Sequence, residues 1–182
     1  MPTHVVLALG SNLGDGTATL EAAVRALRTV SGLDIEGVSP NFESAAVKLH
    51  GVDDTAPRYI NSVVTGRFTG DALELLDAVN LIEATHGRVR AERWGDRTLD
   101  IDIIAIDGLE LDTARLTLPH PRAWERDFVL APWFSLEADA VIPGRGSVRD
   151  LLAATENTAV PVAAVPVAGT TAATHSAKSG PR

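Results

Sequence analysis

Asp100 and Asp102 stand two residues apart in TLDIDIIAI (98–106), a run that otherwise reads as a buried strand. Side chains at i and i+2 of a strand share a face, so both carboxylates project together, their Cα atoms about 7 Å apart. Leu99, Ile101 and Ile103 then point the other way, into the core. Two acids on one face repel each other and are costly to desolvate, so a cation should face them. Arg88, Arg90, Arg93 and Arg97 lie just upstream. Magnesium is the other natural partner, because it takes oxygen ligands and is held by one or two carboxylates plus substrate phosphates. Guanidinium groups match phosphate oxygens bidentately and keep their charge. Carboxylates for magnesium beside arginines for phosphate are the parts of a phosphoryl-transfer site.

Other chemistry is narrower. The chain has no GxxxxGK[ST] and no GxGxxG. LALGSNLGDG has glycines at 10, 14 and 16, a spacing that suits a strand-to-helix turn, with Ser11 or Asn12 satisfying backbone groups. His120 sits between prolines in LPHPR, where it could donate to a phosphate or cap a turn. The remaining histidines show no metal-ligand spacing. Tyr59 and Phe128 could pack in the core or sandwich a flat heterocycle. Trp94, in the Arg-rich loop, suits either partial burial or a stacking lid.

Bulk composition narrows the class. A chain of 182 residues with 45% hydrophobic content can bury a core without staples. There is no cysteine, which excludes thiolate metal sites and permits a cytoplasmic location. No apolar run approaches membrane-spanning length, and MPTHVVLALGSN reads as a first strand, not a leader. A net charge of -8 argues against nucleic acid or a membrane surface as partner. Seven of the 14 arginines nevertheless fall between Arg88 and Arg126, a focused patch suited to a small polyanion.

The elements that must position these groups follow from periodicity. Strands are expected at 4–9, 33–43 with a break at Pro40, 58–68 and 98–106. Helices are expected at about 17–31 and 70–87, where Leu73, Leu76, Val79, Leu81 and Ile82 form the apolar face, and in short pieces after Pro121 and at 148–155. Residues 44–57 read as a long loop, and Asp107-Gly108 as a hairpin turn into LEL. Residues 155–182 contain no Leu, Ile, Phe or Trp and three prolines, so a disordered tail is expected after a domain spanning 1–154. The order predicts an α+β, ferredoxin-like sandwich: a mostly antiparallel sheet with helices packed on one face.

Four stretches in one order, ALGSNLGD, YINSVV, GRVRAERWGDRTLDIDII and LTLPHPRAWERDFVLAPW, resemble the 6-hydroxymethyl-7,8-dihydropterin pyrophosphokinase family over about residues 4–153. The resemblance implies transfer of pyrophosphate from ATP to the hydroxymethyl group of the pterin in folate biosynthesis, giving AMP. It implies that Asp100 and Asp102 bind two magnesium ions and that Arg88 and Arg97 stabilise the transferring group. Asn80, Glu83, Arg90, Trp94, Ile103, Arg115, Leu116, Thr117, His120 and Arg126 would hold ATP. Ser44, Val47, Tyr59, Asn61, Trp94 and Phe128 would hold the pterin, Ser44 standing where relatives carry Thr. ATP and a hydroxymethyl dihydropterin are then the partners, and a monomer is expected, with a dimer as the alternative. Two rivals use the same parts: a magnesium-dependent kinase or phosphohydrolase with another substrate, and a non-enzymatic nucleotide-binding module.

Overall fold

The computed structural model describes residues 1–48, 51–53, 58–86, 98–156 and 158–162. Its centre is β1 (Thr3–Ser11), buried on both faces. Val5, Leu7 and Leu9 point to one side of the sheet, and Val6 and Ala8 to the other, as the two-residue repeat of a strand requires. After β1 come α1 (Gly16–Leu27), β2 (Leu33–Val38), β3 (Phe42–Ser44), β4 (Ala46–Lys48) and β5 (Gly51–Asp53). Next are β6 (Tyr59–Phe68), α2 (Ala72–Thr85), β7 (Asp100–Ile106), β8 (Leu111–Asp112) and β9 (Thr117–Leu118). A 3-10 turn (Ala123–Glu125) leads into α3 (Asp127–Leu136), followed by β10 (Val141–Ile142), β11 (Gly146–Ser147), α4 (Val148–Ala153) and β12 (Val160–Pro161).

The main sheet runs β12-β3-β6-β1-β7, and β2 also pairs with β6. Every pairing in it is antiparallel. The α+β expectation holds, but the helices cover both faces of the sheet. On one face Leu20, Ala23 and Leu27 of α1 and Ala72, Leu75, Val79 and Ile82 of α2 close over Val5, Leu7, Leu9, Ile101 and Ile103. On the other, Val129, Leu130 and Trp133 of α3 and Val148 of α4 close over Val6, Ala8, Val63 and Ile104. Each fully buried leucine, such as Leu7 or Leu75, contributes about 1.5–3 kcal/mol of burial.

Local chemistry sets the helix starts. Asp15, and not Ser11 or Asn12, caps α1 by accepting from the Ala18 N–H. Gly16 opens that helix because a Cβ there would lie 2.9 Å from Ile60 Cγ1 on β6. Asp71 and Glu74 form a reciprocal capping box on α2. The expected apolar face of α2 is shifted: Leu81 is exposed, and the buried positions are 72, 75, 79 and 82.

Three further expectations change. Asp107-Gly108 does form a turn, with Gly108 at φ 70, but β8 pairs with β9 and not back onto β7. The 44–57 loop contains a small ladder, β4 against β5. Residues 158–162 fall in the expected tail yet add a strand to the sheet edge, Val160 opposite Glu43 and Pro161 opposite Phe42. Strand addition uses backbone groups, so a segment without large apolar residues can still do it. Residues 163–182 lie outside the described residues.

Candidate active site

The register of the sheet brings the candidate residues into rows. Gly10 on β1 lies between Asn61 on β6 and Asp100 on β7, and Phe42 on β3 lies beyond Asn61. One step along, Ala8 lies between Val63 and Asp102, and on the other side of the first row Ser44 pairs with Tyr59. Paired residues share a face, as do residues two apart, so Tyr59, Asn61, Asp100 and Asp102 all face the α3 side. Gly10 keeps the floor low between them: a Cβ there would lie 3.4 Å from Asn61 Oδ1.

The two acids are half-buried, as the strand period predicts, with Ile101 and Ile103 in the core behind them. Beyond Ile103 the strand period fails. Val6 pairs with Ala105 and Leu7 with Ile103, so β7 carries one extra residue there, and Ile104 and Ala105 both pack on the α3 face. The buried side chain of Ile103 faces α1 and α2, which leaves its backbone as the only part able to meet an adenine.

Among the described residues, the cation facing the acids comes from downstream. Arg126 Nη1 lies 3.6 Å from Asp102 Oδ2, and the same guanidinium stacks 5.6 Å from the Phe128 ring centroid. Burial pushes the Arg126 pKa down, and the Asp102 carboxylate opposes that shift. His120 Nε2 is 3.8 Å from the same carboxylate oxygen. Burial and the Arg126 charge push the His120 pKa down to about 4, with Asp100 acting against them. His120 is therefore neutral at pH 7, and the contact with Asp102 is not an ion pair. Its Nδ1 accepts from the Arg122 N–H at 3.2 Å, so the ring proton sits on Nε2, the nitrogen facing the acids. The ring is held in place by its own backbone: His120 N–H donates to Ile104 O at 2.8 Å, just after a cis Leu118–Pro119 bond.

Across the floor, Asn61 is oriented by Ser44. Asn61 Nδ2 donates to Ser44 Oγ at 2.8 Å, and both side chains are buried. Asn61 Oδ1 is left lying over Gly10. Tyr59 at the start of β6 and Phe128 in the first turn of α3 are both half-exposed, as a ring-stacking pair needs to be and core aromatics are not.

Behind β7, Glu83 of α2 is 2% exposed and its Oε1 accepts from the Ile101 N–H at 2.7 Å. This residue, expected at the nucleotide, grips the edge strand between the two acids. Asn80 is half-exposed, one turn earlier on the same helix. Arg115 pairs with Asp77 on α2. Leu116 packs against the core under α1 and α2, and Thr117 Oγ1 donates to Asp112 at 3.4 Å. Val47 belongs to β4. Arg88, Arg90, Trp94 and Arg97 lie outside the described residues. Two contributors carry no chemical signature of their own: Gly10, which sequence reading assigns to a turn, and Asp127 beside Phe128.

Two carboxylates with no third ligand among the described residues have a specific meaning. Among the described residues no group of three His, Cys, Asp or Glu could hold a metal. Such a pair suits magnesium, which keeps water and takes its remaining ligands from phosphates, and does not suit zinc.

Comparison with known proteins shows the family. A family model described as 7,8-dihydro-6-hydroxymethylpterin-pyrophosphokinase matches residues 6–138. The 2-amino-4-hydroxy-6-hydroxymethyldihydropteridine pyrophosphokinase of Synechocystis sp. is 39% identical over 160 residues, 87% of this chain and 80% of its own. The protein of the same name from Pseudomonas aeruginosa is 38% identical over 154 residues, 85% of this chain and 93% of its own. Among solved structures, wild-type Plasmodium falciparum HPPK-DHPS matches with a TM-score of 0.63 at 14% identity, over 84% of this chain and 43% of that one. At that identity the likeness speaks for the fold alone, and this chain spans less than half of the Plasmodium chain's length.

Proposed function

The chain belongs to the 7,8-dihydro-6-hydroxymethylpterin-pyrophosphokinase family, and from that premise we propose how its residues divide the work. The reaction moves pyrophosphate from ATP to the hydroxymethyl group of the dihydropterin, giving the pterin diphosphate and AMP in folate biosynthesis. The observation that carries the division of work is the row Asn61–Gly10–Asp100, which puts a hydrogen-bonding end and an acidic end on one low floor.

At the acidic end, Asp100 and Asp102 hold magnesium, two ions by the family resemblance. When bound, magnesium neutralises phosphate charge and polarises the attacking hydroxyl. Arg126 lies beside Asp102 and offers its guanidinium to phosphate once ATP arrives. His120, neutral and protonated on Nε2, donates a hydrogen bond without adding charge. Arg88 and Arg97 stabilise the transferring group, Arg90 and Trp94 help hold ATP, Trp94 also contributing to the pterin seat, and Asn80, Arg115, Leu116, Thr117 and the Ile103 backbone seat the nucleoside. At the other end, Tyr59 and Phe128 flank the pterin ring. Asn61 Oδ1 accepts from the N–H groups on the ring's edge, while its Nδ2 is engaged by Ser44. Positioning and electrostatics carry the catalysis, and no side chain is assigned as general base. The same reading has the chain acting in the cytoplasm, which its lack of cysteine permits, and as a monomer, with a dimer as the alternative.

Product analysis tests the reaction. Incubation with magnesium, ATP and 6-hydroxymethyl-7,8-dihydropterin should release AMP only when the pterin is present. ADP as the product would leave the phosphate site standing and remove the pyrophosphoryl chemistry. The pterin end has its own test. Ser44→Ala leaves the Asn61 amide only its longer bond to Tyr59 O at 3.4 Å, and should raise KM for the pterin about three- to tenfold, the range for one buried hydrogen bond, with KM for ATP unmoved. Equal movement of both constants would assign Ser44 to the fold.

A further inference from the structure

The two walls of the pterin seat belong to different parts of the fold. Tyr59, Asn61 and Ser44 stand on the sheet, whereas Phe128 stands on the first turn of α3. The residue before Phe128, Asp127, is 9% exposed, and one of its carboxylate oxygens takes three bonds. Asp127 Oδ2 accepts from Thr158 N–H at 2.5 Å, Thr158 Oγ1 at 2.8 Å and Ala159 N–H at 2.9 Å. The chain then runs directly onto β3: Val160 pairs with Glu43, Pro161 with Phe42, and Val162 N–H donates to Asn41 O at 2.8 Å. Ala159 packs with Phe42 and Ala131, and Phe128 packs against the same cluster. β3 is also the strand whose Ser44 orients Asn61. Arg126, Asp127, Phe128 and Thr158 line one cavity of about 500 Å³, so the clasp borders open space beside the stacking ring.

We infer that residues 158–162, locked by Asp127, form a clasp that sets the gap between Phe128 and the sheet and so tunes the enzyme for its pterin substrate. Asp127 is a positioning residue: it touches no substrate and acts through Phe128. A flat ring between two aromatics demands a fixed separation, and a carboxylate bonded three times at the base of one wall supplies it. The ATP end is affected less: Asp100 and Asp102 sit on β7 at the opposite edge of the sheet, and Arg126, although it precedes Asp127, is held from that side by Asp102 at 3.6 Å. The inference rests on the proposed pterin seat.

Its test uses the full-length chain. Asp127→Ala and Ala159→Asp release the clasp from its two sides, and steady-state kinetics are run with pterin and ATP varied separately, well below the melting temperature. Both variants should raise KM for the pterin about tenfold while KM for ATP stays within about twofold, since small misplacements at a reacting pair are costly. Asp127→Asn, which keeps an accepting oxygen, should recover most of the loss. Parallel movement of both KM values, or a pterin KM that stays put in both variants, overturns the clasp. Phe128→Ala separates the two claims. If it leaves the pterin KM unchanged, the seat itself is misassigned; if it raises that KM and the clasp variants do not, only the clasp falls.

Discussion

Asp102→Asn is expected to cut pterin-dependent AMP formation by about a thousandfold, the scale seen when a group that stabilises transition-state charge is removed. The substitution is nearly isosteric, so the loss reports charge and not shape. Asp102 is half-exposed, and its partners include Arg126 at 3.6 Å and His120 at 3.8 Å. Stability should therefore fall by no more than about 1 kcal/mol, the range for a partly solvated pair. Asp100→Asn should behave in the same way, because both acids share one face of β7 and, among the described residues, no third group stands by to hold a metal with them. The experiment measures AMP release across a magnesium titration, with a melting curve for each variant. Activity within tenfold of wild type would mean that the acids serve only to balance Arg126. ATP binding that survives loss of both carboxylates, with turnover absent in wild type, would favour a nucleotide-binding module.

Much of this site was legible in sequence because it depends on local period. Asp100 and Asp102 fall on one face by strand parity alone, and the Pro-His-Pro run foretells a fixed imidazole. Pairings between distant segments were not legible. Asn61 finds Ser44 across 17 residues, and Asp127 finds Thr158 across 31. No periodicity encodes such partners; the sheet order creates them. The same limit explains the second helical layer. IDIIAI reads as an alternating strand, and the extra residue in it cannot be told from its neighbours by hydrophobicity. The insertion leaves Ile104 and Ala105 together on the α3 face, and that apolar surface needs a cover. The first residues of the expected tail depart from disorder for a related reason. Low apolar content argues against a core, but residues 158–162 are held mainly by backbone bonds to β3 and by one carboxylate. The β8 turn went the same way: Asp107-Gly108 fixes a reversal without naming the strand that receives it.

Glu83→Ala should be the most damaging single change away from the acids themselves. A carboxylate 2% exposed needs a partner, and Glu83 has the Ile101 N–H at 2.7 Å. Among the described residues β7 is the sheet's edge strand, so no described strand lies on that side for Ile101 to bond with. Removing the side chain leaves a buried donor unpaired and opens a hole under α2, at a cost of about 2–4 kcal/mol. In a chain of this size that lowers the melting temperature by roughly 5–15 °C. The second consequence is functional. Ile101 is the residue between Asp100 and Asp102, so a loosened backbone there spoils the spacing of both acids, and kcat should drop about tenfold or more even at temperatures where the variant is folded. Glu83→Gln keeps an oxygen at the same place and should retain most of the stability and most of kcat. The family resemblance instead puts Glu83 at the nucleotide, and kinetics can tell the two roles apart. A contact with ATP predicts a raised KM for ATP in both variants, with the melting temperature little changed. A grip on β7 predicts a fall in melting temperature and kcat confined to the alanine variant, together with a raised magnesium requirement, because the ion sees two carboxylates whose separation is no longer fixed.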